Sequence, residues 1–175
     1  MQRRTLLTTA LQTMASGLAV SALGGCGFKL RAAQTMPFKT IAITPERGAG
    51  VASDMARYFS DILVPVAPGA GGVLPDVILD ITQELREKLV VGVNTSGQVR
   101  EYQLRLRVFF KLRTPKGREL IPLTEIEQNR DISFNESVVL AKENEEALLY
   151  RDMQTDIAQQ LLRRLAAAKV TEAQE

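Results

Sequence analysis

The 175-residue chain has no histidine and no tryptophan, and it has a single cysteine. Without histidine, a Ser-His-Asp arrangement, the usual general base near neutral pH and the commonest metal ligand are all missing. One cysteine closes no disulfide within the chain, so packing must hold the fold together. No P-loop or dinucleotide fingerprint occurs, and Gly69-Ala70-Gly71-Gly72 lacks the preceding strand and following helix that a phosphate loop requires. Asp80, Glu84, Glu125 and Glu127 fall on strand positions that alternation turns outward, where solvated surface is a simpler reading than a catalytic pair. The expectation is a protein that is not an enzyme, with no catalytic residue and no metal.

Charge is also missing locally. After Arg3 and Arg4 no ionisable side chain appears until Cys26, and residues 5 to 25 are small or apolar with scattered Thr, Ser and Gln. A short basic start followed by an uncharged stretch is the layout of a secretory signal peptide. The stretch is about as long as a membrane span, but Thr8, Thr9, Gln12, Thr13 and two adjacent glycines make it a poor one, and cleavage is the better reading. It ends in Leu23-Gly24-Gly25-Cys26, which resembles the lipobox of bacterial lipoproteins, where small residues admit the peptidase and the cysteine thiol accepts the lipid. Cys26 is thus the expected lipidation site, and no cofactor is expected beyond that covalent lipid. Several acyl chains make such an anchor stable where one would not. Gly27 is not the Asp that typically retains enterobacterial lipoproteins in the inner membrane, so an outer-membrane location, on the periplasmic side, follows as the default. Arg3-Arg4-Thr5-Leu6-Leu7 also loosely resembles a twin-arginine export signal, which leaves the export route open without changing the destination.

Setting residues 1–25 aside as signal peptide leaves 150 residues, enough for one domain with a real core. The net charge of +2 is Arg3 and Arg4, so the remainder balances 20 basic against 20 acidic residues and offers nothing to nucleic acid. Residues 26–37 read as a lipidated N-terminus and tether, 38–170 as a single domain and 171–175 as a tail. Lys39 to Thr44 is a short strand closed by Pro45. Val51, Met55, Phe59 and Ile62 or Leu63 recur every four residues and predict a helix over 50–63. Val64 to Pro75, rich in Pro and Gly, is a connection that can contain one short edge strand.

From Asp76 the period becomes two. Val77, Leu79, Ile81, Leu85, Leu89, Val91 and Val93 share one parity, with Asp80, Thr82, Glu84, Arg86 and Lys88 on the other, which predicts a long half-buried strand over 76–93. Asn94-Thr95-Ser96-Gly97 turns the chain into a second strand, 102–113, and Pro115-Lys116-Gly117 turns it into a third, 120–134. A helix over 144–168 carries Leu149, Met153, Ile157, Leu161 and Leu165 on one stripe, with Asn144 as N-cap. The predicted fold is α+β, with two helices packed on one face of a largely antiparallel four-stranded sheet in the order β-α-β-β-β-α. In the strand 102–113, Arg105, Arg107, Lys111 and Arg113 share the side opposite the apolar set. Two explanations stand: cross-strand pairing with Asp80, Glu84, Glu125 and Glu127, or a face for an anionic ligand or a partner's polar lumen.

Three segments together carry a family resemblance: Cys26-Gly27-Phe28-Lys29-Leu30-Arg31, Gly97-Gln98-Val99-Arg100-Glu101-Tyr102 and Leu140-Ala141-Lys142-Glu143-Asn144-Glu145. The chain resembles the LptE family of lipopolysaccharide-assembly lipoproteins over nearly all of its mature length. The resemblance implies two helices on a four-stranded sheet, a place as plug and assembly factor inside the LptD β-barrel of the outer membrane, and binding of lipopolysaccharide on its way to the outer leaflet. Of two basic positions the family uses for lipopolysaccharide, one matches Lys142. The other falls on neutral Thr95, with Arg100 a few residues on as its possible substitute. An auxiliary lipoprotein of an ABC-type phospholipid transport system is the alternative of similar size and composition.

Overall fold

The computed structural model describes residues 34–135, 137 and 139–170. The expected signal peptide, Cys26, the first part of the expected tether and the tail 171–175 lie outside the described residues. Four strands and two helices follow in the order expected: β1 (Ile41–Thr44), α1 (Val51–Tyr58), β2 (Val77–Val93), β3 (Val99–Arg113), β4 (Glu119–Ser133) and α2 (Val139–Ala166). The sheet runs β1-β2-β3-β4, parallel between β1 and β2 and antiparallel elsewhere, so the fold is α+β as the alternation predicts.

The core lies between the sheet and both helices. Strict alternation in β3 buries Leu104, Leu106, Val108, Phe110 and Leu112 completely. The α2 stripe of Met153, Ile157, Leu161 and Leu165 covers them and is equally buried. At about 1.5–3 kcal/mol for each such side chain, this stripe is what keeps α2 on the sheet. Val51, Met55 and Phe59 do the same for α1 over Ile41, Ile43, Val77 and Leu79.

Both helices differ in extent from the sequence reading. The first is shorter because the chain leaves it at Phe59 to run beside β1: the Ile41 amide donates to the Ile62 carbonyl at 3.0 Å, and the Val64 amide to the Ile41 carbonyl at 2.9 Å. Leu63 there makes a single parallel bridge to Ile41, so the edge pairing sought within 64–75 falls one residue earlier. The second helix begins at Val139, not at an Asn144 cap. Its first turn faces solvent, with Leu140 73% exposed, so apolar periodicity gives no sign of it.

The consequential difference is in β2. Ile81 stands opposite Phe110 and Gln83 opposite Phe109, leaving Thr82 as an extra residue whose hydroxyl donates to the Phe109 carbonyl at 3.2 Å. Such a bulge reverses the facing of the residues that follow, here as far as Val90, after which the register shifts again. Past Thr82 the helix side receives Glu84, Arg86 and Lys88, opposite Val108, Leu106 and Leu104, while Leu85, Glu87 and Leu89 join the outer face. The uninterrupted parity read through Leu85, Leu89, Val91 and Val93 is therefore wrong beyond Ile81.

Candidate functional site

Lys142 sits in the first turns of α2, above the end of the sheet farthest from β1. Its side chain is 19% exposed, and its ammonium donates to Ser133 Oγ at 3.0 Å and to Glu145 Oε2 at 2.8 Å. Beside it, Lys88 reaches up from β2 because the bulge has turned it to the helix side. The Lys88 ammonium meets Glu146 Oε2 at 2.6 Å and stands 4.4 Å from the centre of the Tyr102 ring. Tyr102 in turn packs edge-on against Phe134 with 5.3 Å between ring centres. Lys88, Tyr102, Ser133, Phe134, Lys142 and Glu146 line one small cleft of about 60 Å³. A wider groove of about 590 Å³ adjoins it, lined by Arg86, Lys88, Glu143, Glu146, Ala147 and Tyr150. Of these two, the groove has the size of a small-molecule pocket, roughly 300–1,000 Å³.

Tyr150 closes the inner end of this groove. Its hydroxyl donates to the Glu87 carbonyl at 2.7 Å, and Arg86 lies 5.5 Å from its ring centre. Burial first, and then the negative charge of Glu146, raise the phenol's pKa above its ordinary value. Farther along the seam Arg86 donates to Gln154 and Arg130 pairs with Asp156 at 2.8 Å. The sheet-facing side of α2 is therefore not uniform: the apolar stripe from Met153 to Leu165 is flanked by the polar contacts of Gln154 and Asp156, and the turns before it are held by Lys142, Glu146 and Tyr150.

Arg100 is placed less centrally. It is exposed near the start of β3, its guanidinium donates to Gln98 Oε1 at 3.4 Å, and its carbonyl accepts from the Phe134 amide at 2.7 Å. No contact joins its side chain to Lys142. Thr95 is exposed in the β2–β3 turn, which Asn94 Oδ1 organises by accepting from the Ser96 and Gln98 amides. Sequence alternation therefore missed Lys88, assigning it to the outward face. The one available signal was on β4, where Gln128 and Arg130 share parity with the buried Ile126 and Ile132 and so mark where the helix side of the sheet turns polar.

On the outer face the basic set does what cross-strand pairing requires. Arg105 lies between Glu87 and Glu127, at 3.9 and 3.6 Å, and Arg107 between Glu87 and Glu125, at 3.4 and 3.5 Å. Glu84, expected among these partners, is on the other face, where its Oε2 accepts from the Val51 amide at 3.0 Å. Glu87 takes its role, again because of the bulge. Arg113 and Lys111 converge on Asp80, at 2.7 and 3.9 Å, and Thr44 donates to the same carboxylate at 2.7 Å. Asp80 was expected on an exposed face and is instead 8% exposed. Burial alone would raise its pKa, but the hydrogen bonds from Arg113 and Thr44 and the charges of Arg113 and Lys111 outweigh that and hold it below the ordinary carboxylate value. The four cations of this set thus face four carboxylates, and Asp131 on the same face accepts from Gln103 Nε2 at 3.1 Å.

At the opposite end of the domain a broad depression of about 810 Å³ is lined by Met36, Phe38, Lys39, Asp76, Arg118 and Val170. Asp76 there accepts from the Lys39 and Thr40 amides at 2.7 and 3.1 Å, which fastens the incoming chain beside β2. Among the described residues no helix is long and apolar enough to cross a membrane.

Comparison with known proteins fits this architecture. The LPS-assembly lipoprotein LptE of Pectobacterium atrosepticum is 28% identical over 160 residues, covering 89% of this chain and 84% of that protein. Its counterpart from Photorhabdus laumondii is 28% identical over 166 residues, covering 93% and 89%. The solution structure of an uncharacterized lipoprotein B from Nitrosomonas europaea superposes with a TM-score of 0.64 at 37% identity, over 81% of this chain and 91% of that one. The crystal structure of rare lipoprotein B from Shewanella oneidensis, at 22% identity and a TM-score of 0.56 over 73% and 92%, shares the fold. The LptE model, described as lipopolysaccharide-assembly, matches residues 38–165, from just ahead of β1 almost to the end of α2, and the chain belongs to that family.

Proposed function

We propose that this chain is an outer-membrane lipoprotein, anchored on the periplasmic side by lipid on Cys26, that serves as plug and assembly factor of the LptD β-barrel and holds lipopolysaccharide at its Lys142 end. Its work in this reading is binding and assembly, without catalysis. The match of residues 38–165 to the lipopolysaccharide-assembly family carries it. The outer face supports it physically: a surface whose Arg105, Arg107, Lys111 and Arg113 are already paired can be covered by a polar lumen without stranding these cations. Lys142 supports the ligand half, since an ammonium near a surface-held carboxylate is available to a phosphate.

Affinity purification of the full chain from detergent-solubilised outer membranes tests the partner. A large β-barrel should co-purify stably, and recovery of only peptidoglycan or an inner-membrane transporter overturns the assignment. For the ligand, Lys142→Glu should weaken lipopolysaccharide binding by roughly tenfold, the size of one lost charge-assisted contact. Unchanged affinity removes Lys142 from the site.

A further inference from the structure

The sheet is covered at one edge and open at the other. Beyond β1 the chain covers the edge itself, with backbone hydrogen bonds joining Ile41 to Ile62 and Val64. At the other side β4 is the last strand, and among the described residues no strand pairs with its outer edge. The Phe134 amide donates to the Arg100 carbonyl at 2.7 Å, and the register runs unbroken from Glu101 opposite Ser133 to Phe110 opposite Thr124. Antiparallel alternation then points the amides of Ile126, Gln128, Arg130 and Ile132 at β3, and those of Glu125, Glu127, Asn129 and Asp131 at the open edge.

Such an edge is a template for another strand, and folded proteins usually blunt it with proline, lysine, a bulge or short length. The start of β4 is treated in that way: Pro122 interrupts it, and the register with β3 shifts on both sides of Leu112. Over 125–131 none of these devices occurs. The one charge turned to the helix side there, Arg130, is met by Asp156 at 2.8 Å, and its guanidinium also donates to the Asn129 carbonyl at 2.8 Å. Side chains say what kind of strand fits. The residues whose amides meet the edge have their side chains on the outer face, where Glu87, Glu101, Glu125, Glu127 and Asp131 surround two guanidinium groups, Arg105 and Arg107. Asp131 accepts there from the neutral amide of Gln103. A second copy of the chain would add the same carboxylates to this face, and like charges across a strand pair are destabilising. Arginine or lysine at alternate positions supplies the missing charge.

We infer that the 125–131 edge of β4 takes up an extended segment of the barrel partner, with basic side chains at alternate positions. Main-chain hydrogen bonds hold such a strand, and the side chains of one face select it. This rests on the reading that a barrel is the partner, and the test separates the two. Hydrogen exchange is followed at single-residue resolution by electron-transfer fragmentation. It is compared between the full chain co-purified with the barrel from detergent-solubilised outer membranes and the full chain alone in the same detergent. Glu125→Gln, Glu127→Gln and Asp131→Asn are combined to remove the charge and keep the shape. Asp131→Asn alone is the second variant, because its neighbour Gln103 is neutral, and unfolding midpoints verify that both fold.

In the free chain the amides of Glu125, Glu127, Asn129 and Asp131 exchange at the rate of open backbone, while their inward neighbours are slow. In the complex these edge amides slow by roughly tenfold or more, as each gains a main-chain acceptor. The combined variant loses roughly threefold or more of that protection, or loses the barrel altogether, and Asp131→Asn loses a smaller part. Edge amides as fast in the complex as in the free chain overturn the added strand and leave the barrel partner standing. Edge amides already slow in the free chain also overturn it, since another copy would then hold the edge. Full protection in both variants overturns the selection by charge and the inference with it. If no barrel co-purifies with the unaltered chain, the underlying reading fails and the strand with it.

Discussion

Asp80→Asn tests whether the buried carboxylate is what joins β1 to the rest of the sheet. The carboxylate accepts from Thr44 on β1 and from Arg113 on β3, with Oδ2 2.7 Å from Arg113 Nε and Oδ1 3.3 Å from Nη2, so three strands meet on one side chain. Removing one partner of a fully buried ion pair costs about 3–5 kcal/mol, largely because the other charge is stranded. Here the Arg113 side chain keeps 26% exposure and can turn to water, while an asparagine oxygen can still accept from Thr44. Both arguments reduce the cost, to about 2–3 kcal/mol, or roughly 5–10 °C in Tm for a domain of this size. The charge gives the loss a pH signature. A carboxylate whose folded pKa is depressed contributes stability that is fully present above its unfolded value near 3.9 and disappears as pH falls through the lower folded value. Urea unfolding followed by far-UV circular dichroism should show the gap between the two proteins at pH 7 and its progressive closing below about pH 4. Equal stability at pH 7, or a gap that does not shrink on acidification, would refute the reasoning.

The same seam of the fold supplies two smaller tests. The first helix begins at Gly50, which offers no side-chain cap, and Glu84 reaches across from β2 to the Val51 amide, so Glu84→Ala should destabilise by about 1 kcal/mol in urea unfolding, the usual worth of a lost cap. Glu125→Ala, out on the paired outer face, should cost less than half of that; a reversed order would mean the cap is ornamental. Tyr150→Phe leaves the Glu87 carbonyl without its donor and should cost about 1–2 kcal/mol. Because the folded pKa of Tyr150 is raised, its contribution is complete below about pH 10 and is lost as pH climbs through the raised value, so in alkaline urea titrations the Phe variant should converge on the unaltered protein.

How far the sequence could be read depended on whether a position's environment was set by its neighbours in the chain or by distant elements. In β3, the central strand, Leu104 to Leu112 alternate without interruption and their burial follows from the pattern alone. The α2 stripe from Met153 to Leu165 is equally legible, since one helix face packs on one sheet face. The failures share a cause. The bulge at Thr82 leaves no mark, because Leu85, Leu89, Val91 and Val93 continue the earlier parity and imitate an unbroken strand. Which parity is buried there is decided by α2, and α2 meets that half of the sheet through Tyr150, Glu146 and Gln154 and not through an apolar stripe. The candidate site lies in this region, and for the same reason. Lys142 was legible by resemblance because it stands in a local motif. Lys88, 54 positions earlier, was hidden by alternation that assigned it to the wrong face. A polar seam is where a sheet of this kind can hold charged side chains against a helix without filling a core, which leaves them free to exchange a carboxylate for a ligand; the rule that buries apolar residues has nothing to say about it.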